Sequence, residues 1–379
     1  MPSLIPDLDP DGLLEYSVVF TDRSLNHMSG RFRQVMNDLS ATLKETYQAD
    51  ATVLVPGGGT YAMEAVARQF AGDRRCLVIR NGWFSYRWTQ IFDAGDIPRE
   101  VTVLKASRTG SEEKSPFAPA SLDRVVDTIR REKPDLVFAP HVETSSGMLL
   151  PDDYLVAVCR AVHDVGGLMV LDCIASGAAW VDMRTLGVDI LISAPQKGWS
   201  ATPCCGIAML GEGALERIVD TRSSSFAMDL AKWLEIMRAY ENGGHAYHAT
   251  MPTDGLLTFR DAMDELRTFG FEAARDAQWD LGRRVRRLMA DRGFPSVAAE
   301  GFEAPGVVVS YTDDAGIQNG SRFAAEGLQI AAGVPLMCDE PESYRSFRIG
   351  LFGLDKLGQV ERTVEQLEGA LSRVLDSAN

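Results

Sequence analysis

Apolar positions follow two alternating spacings from about residue 32 to residue 220. Short runs of apolar and β-branched residues predict strands, and these runs are Ala51–Pro56, Cys76–Arg80, Val101–Leu104, Leu136–Pro140, Leu168–Leu171, Ile190–Ser193 and Gly206–Leu210. Stretches with helical spacing separate many of them, namely Phe32–Tyr47, Thr60–Phe70, Ser121–Arg131 and Asp152–Val165. Strands that alternate with helices are typical of βαβ units, so this part predicts an α/β fold with a mostly parallel central sheet.

The pattern changes after residue 220, where long helical stretches replace the alternation. Helical spacing covers Asp229–Tyr240, Thr253–Phe269 and Glu272–Asp291, and the tail adds strands at Gly306–Tyr311 and Ser346–Leu351 and a last helix at Leu357–Leu375. This second pattern predicts a smaller α+β domain. We place the large domain at residues 16–260 and assign residues 261–379, together with the N-terminal segment 1–15, to the small domain.

Composition narrows the expected partners. Hydrophobic residues make up 45% of the 379 positions and charged residues 24%, which is ordinary for a globular protein. The formal net charge is −15, and an acidic surface repels nucleic acid and anionic lipid, so we expect neither as a partner. No apolar run approaches the roughly 18 residues of a membrane-spanning helix.

The six cysteines point to a reducing environment. They are Cys76, Cys159, Cys173, Cys204, Cys205 and Cys338. None forms a C-x-x-C pair and no histidine cluster lies near them, so we expect neither a metal site nor a disulfide framework. The N-terminus is acidic and proline-rich, unlike a signal peptide. We therefore expect reduced thiols in a cytoplasmic protein.

A glycine-rich turn follows the first predicted strand and opens a helix. Gly57, Gly58 and Gly59 let a ligand approach the backbone, and Thr60 adds a hydroxyl group beside the free N–H groups of the helix start. This combination suits a phosphate group. The turn matches neither a Walker loop nor G-x-G-x-x-G, and a purely structural turn with a threonine cap is the alternative.

Two ionisable residues follow later strands. Asp172 ends the run Leu168–Leu171, where a buried carboxylate needs a cationic partner such as a protonated pyridine nitrogen. Lys197 follows Ile190–Ser193, and an amine held among apolar groups is a usable nucleophile for aldehydes. A helix cap and a surface lysine are the respective alternatives.

The ordered set of glycine-rich turn, Asp172 and Lys197 resembles fold type I pyridoxal-phosphate enzymes. More closely, it resembles the class V aminotransferases of the alanine/serine–glyoxylate aminotransferase kind. The resemblance implies pyridoxal 5'-phosphate as cofactor, a small amino acid and a 2-oxo acid as substrates, and a homodimer with shared active sites. It also implies that Lys197 holds the cofactor and then takes the substrate's Cα proton.

Individual segments resemble family segments whose residues surround the cofactor. Gly58, Gly59 and Thr60 match the family's phosphate turn, and Gln196, beside Lys197, is expected near the phosphate. Phe84, in Asn81–Trp88, falls where the family places an aromatic ring over the cofactor. Thr144, in His141–Gly147, takes the position of a hydroxyl beside the cofactor.

The remaining implied roles concern the ring, the substrate and the second subunit. Asp172 is expected on the pyridine nitrogen and Ile174 against the opposite face of the ring. Tyr247 and Thr250 resemble the segment that a second subunit contributes to the phosphate site. Arg348, in an Arg-Ile-Gly strand, is expected to grip the substrate carboxylate, with a structural salt bridge as the alternative.

Several functions compete with transamination. A lyase or an aminophosphonate-processing enzyme would use the same scaffold, and an arginine binds carboxylate and phosphonate alike. A cysteine desulfurase would need a nucleophilic cysteine on a mobile loop, and no such segment surrounds Cys338. A nicotinamide-binding protein would need a different glycine pattern. His27 matches a family segment only in part, so we assign it no role.

Overall fold

The computed structural model describes residues 8–376, so the first seven and last three residues of the predicted small domain lie outside it. The strands are β1 (Ala51–Pro56), β2 (Arg75–Arg80), β3 (Glu100–Lys105), β4 (Ser107–Arg108), β5 (Phe117–Ala118), β6 (Leu136–Pro140), β7 (Val142–Glu143), β8 (Met148–Leu149), β9 (Leu168–Asp172), β10 (Ile190–Ser193), β11 (Cys205–Leu210), β12 (Val307–Tyr311), β13 (Ala331–Ala332) and β14 (Ser346–Gly350).

The helices before residue 220 are α1 (Gly30–Tyr47), α2 (Gly59–Phe70), α3 (Trp83–Gly95), α4 (Leu122–Glu132), α5 (Asp152–Asp164), α6 (Met183–Leu186) and α7 (Glu212–Ile218). Those after it are α8 (Leu230–Glu241), α9 (Thr253–Phe269), α10 (Phe271–Asp291), α11 (Ala315–Gln318), α12 (Ser321–Ala325), α13 (Leu354–Leu357) and α14 (Val360–Asp376). Each helix predicted from apolar spacing is present within a few residues of its expected bounds.

All seven strands predicted before residue 220 join one sheet, in the order β1-β11-β10-β9-β6-β2-β3. Strand β11 runs antiparallel to both of its neighbours, β1 and β10. The other four pairings are parallel. The predicted α/β fold with a mostly parallel sheet is confirmed. Strands β6 and β9 are buried along their whole length, which explains why they read as continuous apolar runs.

A second, antiparallel sheet has the order β12-β14-β13. Arg348 of β14 lies opposite Val309 on one side and Ala331 on the other. Helix α10 packs on β12 and α14, whereas α9 packs on α1. Residue 260 lies within α9, so the proposed boundary between the domains falls inside a continuous helix.

Two absences within residues 8–376 bear on function. No helix there is both long and apolar enough to cross a membrane. No cluster of three or more histidine, cysteine or acidic side chains is placed to hold a metal ion. All six cysteines are buried and unpaired.

Candidate active site

The predicted site residues gather at the carboxyl ends of the central strands. Asp172 is the last residue of β9 and pairs in register with Ile192 of β10 and Pro140 of β6. Lys197 follows β10 in the turn that leads away from the sheet. Because parallel strands end at one edge, the sheet brings the carboxylate and the amine to the same place.

Asp172 is buried and short of hydrogen-bond donors. Its carboxylate accepts a hydrogen bond from the Ile174 N–H at 2.9 Å, and no second donor to it is found within residues 8–376. Burial raises the pKa of Asp172 to about 6, against the lowering influence of that hydrogen bond and of the Lys197 charge. A cationic ring nitrogen would supply the missing donor and the missing positive charge.

Lys197 is half-buried between two aromatic rings. Its Nζ lies 5.9 Å from the centre of the Phe84 ring and 5.6 Å from that of Phe352. Burial lowers the pKa of Lys197, and the charge of Arg348 lowers it further, while Asp172 opposes the shift. A lowered pKa leaves more of the amine unprotonated at neutral pH, as nucleophilic and base catalysis both require. Phe352, just beyond β14, was not predicted as a site residue.

The Phe84 ring has three cationic neighbours. The guanidinium carbon of Arg87 lies 5.2 Å from the ring centre and that of Arg348 lies 5.6 Å from it, in addition to Lys197. The face of an aromatic ring attracts cations, so Phe84 offsets part of the repulsion among these charges. Arg87 is a second residue that sequence analysis did not assign.

The glycine-rich turn opens α2 as expected. A Cβ atom built on Gly59 would approach Ile174 Cδ1 to 2.5 Å, so Ile174 packs directly on this backbone and would have to shift to admit a side chain there. A Cβ on Gly58 would meet nothing within 4 Å, so the start of the helix faces open space. Thr60, in the first turn, is exposed. A phosphate group fits such an opening, where helix N–H groups lack intrahelical partners.

Glu143 organises the wall of the site, although sequence analysis gave it no role. Its carboxylate is fully buried and accepts from the N–H groups of Phe84 (3.2 Å), Ser85 (2.8 Å) and Ser145 (3.1 Å) and from the Ser85 and Ser145 hydroxyls, each at 2.7 Å. Glu143 therefore caps the start of α3 and fixes the turn that carries Phe84. Thr144, between these residues, is buried beside them.

Helix α3 is the one long element that the apolar pattern did not predict. It begins at Trp83, directly after Gly82. A Cβ atom on Gly82 would lie 2.0 Å from the Ser145 hydroxyl and 2.7 Å from Glu143 Cγ. Gly82 is thus required by the close approach of the Glu143 network.

Arg348 points its guanidinium group into the site without a carboxylate partner. Its Nε donates to the Ala332 carbonyl at 2.8 Å. Within residues 8–376, no acidic side chain lies within 4 Å of this guanidinium, so the alternative of a structural salt bridge is not realised. Burial lowers the pKa of Arg348, and the nearby Glu143 opposes that shift. An anionic ligand would satisfy the free edge of the planar group.

Two predicted residues, Tyr247 and Thr250, stand apart from this cluster in the single chain, whereas Gln196 directly precedes Lys197. Gln196 is exposed. Tyr247 is 52% exposed and its hydroxyl lies 3.0 Å from that of Thr250, which is also exposed. The Tyr247 ring lies 5.6 Å from the His27 ring, and no contact joins it to Lys197 among the described residues.

Cys338 is a poor nucleophile. Cys338 is buried against the Arg80 carbonyl at 3.4 Å, and burial raises its pKa to about 12. Cys204 and Cys205 are also buried, with their sulfur atoms 3.9 Å apart. A protonated, buried Cys338 disfavours the desulfurase alternative, which needs an accessible thiolate.

Comparison with known proteins assigns the chain to a protein family. A model of the class-V aminotransferases matches residues 13–308. The 2-aminoethylphosphonate–pyruvate transaminase of Syntrophobacter fumaroxidans is 28% identical, and the match covers 90% of this chain and 89% of that protein. The small subunit of a soluble hydrogenase from Synechococcus sp. is 26% identical over 92% of this chain and 88% of its own length. Likeness at this level identifies a family and not a substrate.

A solved structure shows the same fold. The alanine–glyoxylate aminotransferase of Nostoc sp. superposes with a TM-score of 0.77 at 20% identity, over 93% of this chain and 89% of that one.

Proposed function

The chain belongs to the class-V aminotransferase family and is a transaminase of that class, and we propose that it moves an amino group from a small amino acid to a 2-oxo acid such as glyoxylate or pyruvate. The family implies pyridoxal 5'-phosphate as cofactor. The observation that carries the proposal is that the charges of Asp172 and Arg348 both act on Lys197, with Lys197 and Arg348 over the Phe84 ring and with Arg348 lacking an acidic partner within residues 8–376.

The residues present fit this cofactor. Gly58, Gly59 and Thr60 would receive the phosphate at the open start of α2. Phe84 and Ile174 would lie against the ring. Asp172, with a single donor among the described residues, would hold the ring nitrogen in its protonated form. When bound, pyridoxal phosphate supplies an aldehyde that can react with an amine and a ring that accepts electrons from the substrate's Cα.

The protein's own groups would then bind, orient and transfer a proton. Arg348 binds the substrate's anionic group and fixes which bond at Cα faces Lys197. The Lys197 amine would remove the Cα proton and deliver it to the carbon atom that carried the aldehyde of the cofactor, and its lowered pKa suits a general base near neutral pH. Glu143 takes no part in proton transfer and keeps Phe84 in place through the α3 start.

We propose that Thr144 and Gln196 complete the surroundings of the cofactor within one subunit. We also propose a homodimer in which each subunit contributes Tyr247 and Thr250 to the phosphate site of the other. Support comes from the exposure of these two residues and from a set of large apolar side chains left open to solvent. The most exposed of these are Leu13 (94%), Tyr16 (89%), Val18 (100%), Val219 (80%) and Phe226 (78%). Burying such surface is the usual reason for a permanent interface.

Two coarser proposals accompany this function. Residues 16–260 would form the large cofactor-binding domain, and residues 261–379 with 1–15 the small one. A cytoplasmic location is supported by six buried cysteines that remain unpaired.

A second candidate is a transaminase for aminophosphonates. It is favoured by relatives such as the Syntrophobacter fumaroxidans protein, together with the open guanidinium of Arg348, which suits a phosphonate as well as a carboxylate. The two candidates differ in the donor and share the acceptor class.

A donor panel tests both proposals. The purified protein is first examined for the visible absorption of bound cofactor, and borohydride is used to fix it covalently to Lys197. Alanine, serine and 2-aminoethylphosphonate are then offered with glyoxylate or pyruvate. Amination of the acceptor establishes transamination and its rate ranks the donors. Ammonia release without an acceptor would indicate a lyase instead, and a protein that binds no cofactor would overturn the proposal.

A further inference from the structure

Arg87 lies one helical turn after Phe84 in α3 and is half-buried. Its Nη1 donates a hydrogen bond to the Thr60 hydroxyl oxygen at 2.8 Å, across from α3 to the first turn of α2. No acidic side chain within residues 8–376 approaches this guanidinium to within 4 Å. The group therefore carries a positive charge beside the open helix start and has no counter-charge there.

The contact with Arg87 determines what the Thr60 hydroxyl can do. A guanidinium only donates hydrogen bonds, so Thr60 acts as the acceptor in this pair. The single hydroxyl hydrogen of Thr60 is then available to a different acceptor, and none is found for it within residues 8–376. Because Thr60 is exposed in the first turn of α2, that acceptor would lie in the same opening as the free helix N–H groups.

Charge also separates this site from a simple helix cap. Gly58, Gly59, Thr60 and Gln196 have no formal charge, and a helix N-terminus provides only about half a positive charge. A phosphate monoester carries about −1.5 to −2 near pH 7. The full positive charge of Arg87, next to Thr60, neutralises most of the phosphate charge that the helix N-terminus leaves uncompensated.

We propose that Arg87 is a further binding residue for the phosphate group of the cofactor. Its guanidinium supplies the counter-charge and turns Thr60 into a hydrogen-bond donor toward the phosphate. The proposal rests on the proposed function, because it presupposes that pyridoxal phosphate binds at this site. It leaves Arg348, on the other sheet, as the group for the substrate's anion.

The test compares two ligands that differ only in the phosphate. Apo protein is titrated with pyridoxal 5'-phosphate and with pyridoxal, and dissociation constants are followed by the quenching of tryptophan fluorescence. Arg87→Gln should weaken pyridoxal phosphate about 10- to 100-fold, the usual effect of losing a charge-assisted hydrogen bond. It should leave pyridoxal binding unchanged. For Arg87→Lys, which keeps the charge but not the planar fork, the dissociation constant of pyridoxal phosphate should lie between those of the wild type and Arg87→Gln.

Matched controls make the result specific. Arg99→Gln removes the same charge from an exposed position of the same domain and should bind both ligands like the wild type. Inorganic phosphate should raise the melting temperature of wild-type apo protein and of Arg99→Gln, but not that of Arg87→Gln. The loss in Arg87→Gln should shrink when Thr60→Val is present, since the two residues act together.

Three outcomes would overturn the proposal. Arg87→Gln could bind pyridoxal phosphate as tightly as the wild type, or it could weaken pyridoxal to the same extent, which would show a structural effect only. It could also raise only the KM for the amino donor, which would place Arg87 on the substrate. Failure of the wild type to bind pyridoxal phosphate would be a different result, because it would remove the proposed function itself.

Discussion

The backbone N–H of His141 donates to the backbone carbonyl of Asp172 at 2.9 Å, and the side chains of both residues are buried. Burial lowers the pKa of His141 to about 4 and raises the pKa of Asp172 to about 6. The His141 Nδ1 also lies 2.7 Å from the Ser176 hydroxyl. Both groups are therefore neutral over much of the same acid range.

These two titrations have opposite effects on stability. Between about pH 4 and 6.5 the unfolded chain protonates His141 and the folded chain does not, so this group loses stability as the pH falls. Between its ordinary value of 3.8 and about 6, Asp172 is protonated only in the folded chain, so it gains stability as the pH falls. The two contributions to the free energy of unfolding therefore oppose each other between about pH 4 and pH 6.

Replacing either residue should reveal the effect of the other on the pH dependence of stability. Asp172→Asn should make the free energy of unfolding of the apo protein fall more steeply from pH 6.5 to pH 4 than in the wild type. His141→Gln should flatten or reverse the slope. Urea denaturation at several pH values measures both, and the two variants changing the slope in the same direction would contradict the assignment.

Replacing Lys197 should separate cofactor binding from catalysis. Lys197→Ala should lose the borohydride-fixed adduct and lower kcat by roughly 10²- to 10⁴-fold, the range for loss of a general base. A small external amine such as methylamine should restore part of the rate, because the space left by the side chain admits it. Full activity in Lys197→Ala would exclude Lys197 as the base.

Substitution of Arg348 should weaken the use of the amino donor and leave cofactor binding unchanged. Arg348→Lys retains the charge and loses the planar fork, so kcat/KM for the amino donor should fall about 10- to 100-fold. The dissociation constant of pyridoxal phosphate should stay unchanged, which is the reverse of the result expected for Arg87→Gln. A loss of cofactor affinity in Arg348→Lys would contradict this division of roles.

Glu143 should be required for stability of the α3 start. Glu143→Gln places an NH₂ group among N–H donors, and losing a buried, charge-assisted acceptor should lower the free energy of unfolding by about 2–4 kcal/mol. Glu216→Gln, at an exposed position, serves as the control and should change it little. Equal stability of the two variants in urea denaturation would show that the five contacts contribute no net stability.

Subunit mixing tests whether sites are shared. Lys197→Ala homodimers lack the base, and homodimers of the double variant Tyr247→Phe, Thr250→Val lack the proposed contribution from the partner. Refolding the two together in equal amounts should restore about one quarter of wild-type activity, because half of the dimers are mixed and each contains one intact site. Activity no higher than that of the separate variants would reject sharing.

The sequence predicted the sheet well because its parallel strands are buried on both faces and read as apolar runs. Asp172 and Lys197 were found because each follows such a strand. Helix α3 escaped prediction because its start is stabilised by Glu143, which lies 58 residues from Ser85 along the chain. An acidic residue inside the apolar stretch around His141 was the one signal that could have found it.

Residues whose roles depend on distant partners were the other omissions. Arg87 becomes informative only through Thr60, which lies 27 residues earlier. Phe352 becomes informative only because its ring lies near Lys197. Exposure of Tyr247 and Thr250 in a single chain leaves their role a prediction, since the contacts that would explain them would belong to the second copy of the proposed homodimer.

All five contacts of the Glu143 carboxylate come from N–H and hydroxyl groups of this chain, so the folded chain itself orders the turn that presents Phe84. The conformational entropy of that turn is lost before a cofactor arrives, and little remains to be ordered on association. Pyridoxal phosphate is then no template for folding. The Phe84 side of the cofactor site would then form as the chain folds, and a cofactor would meet a turn that is already held in place.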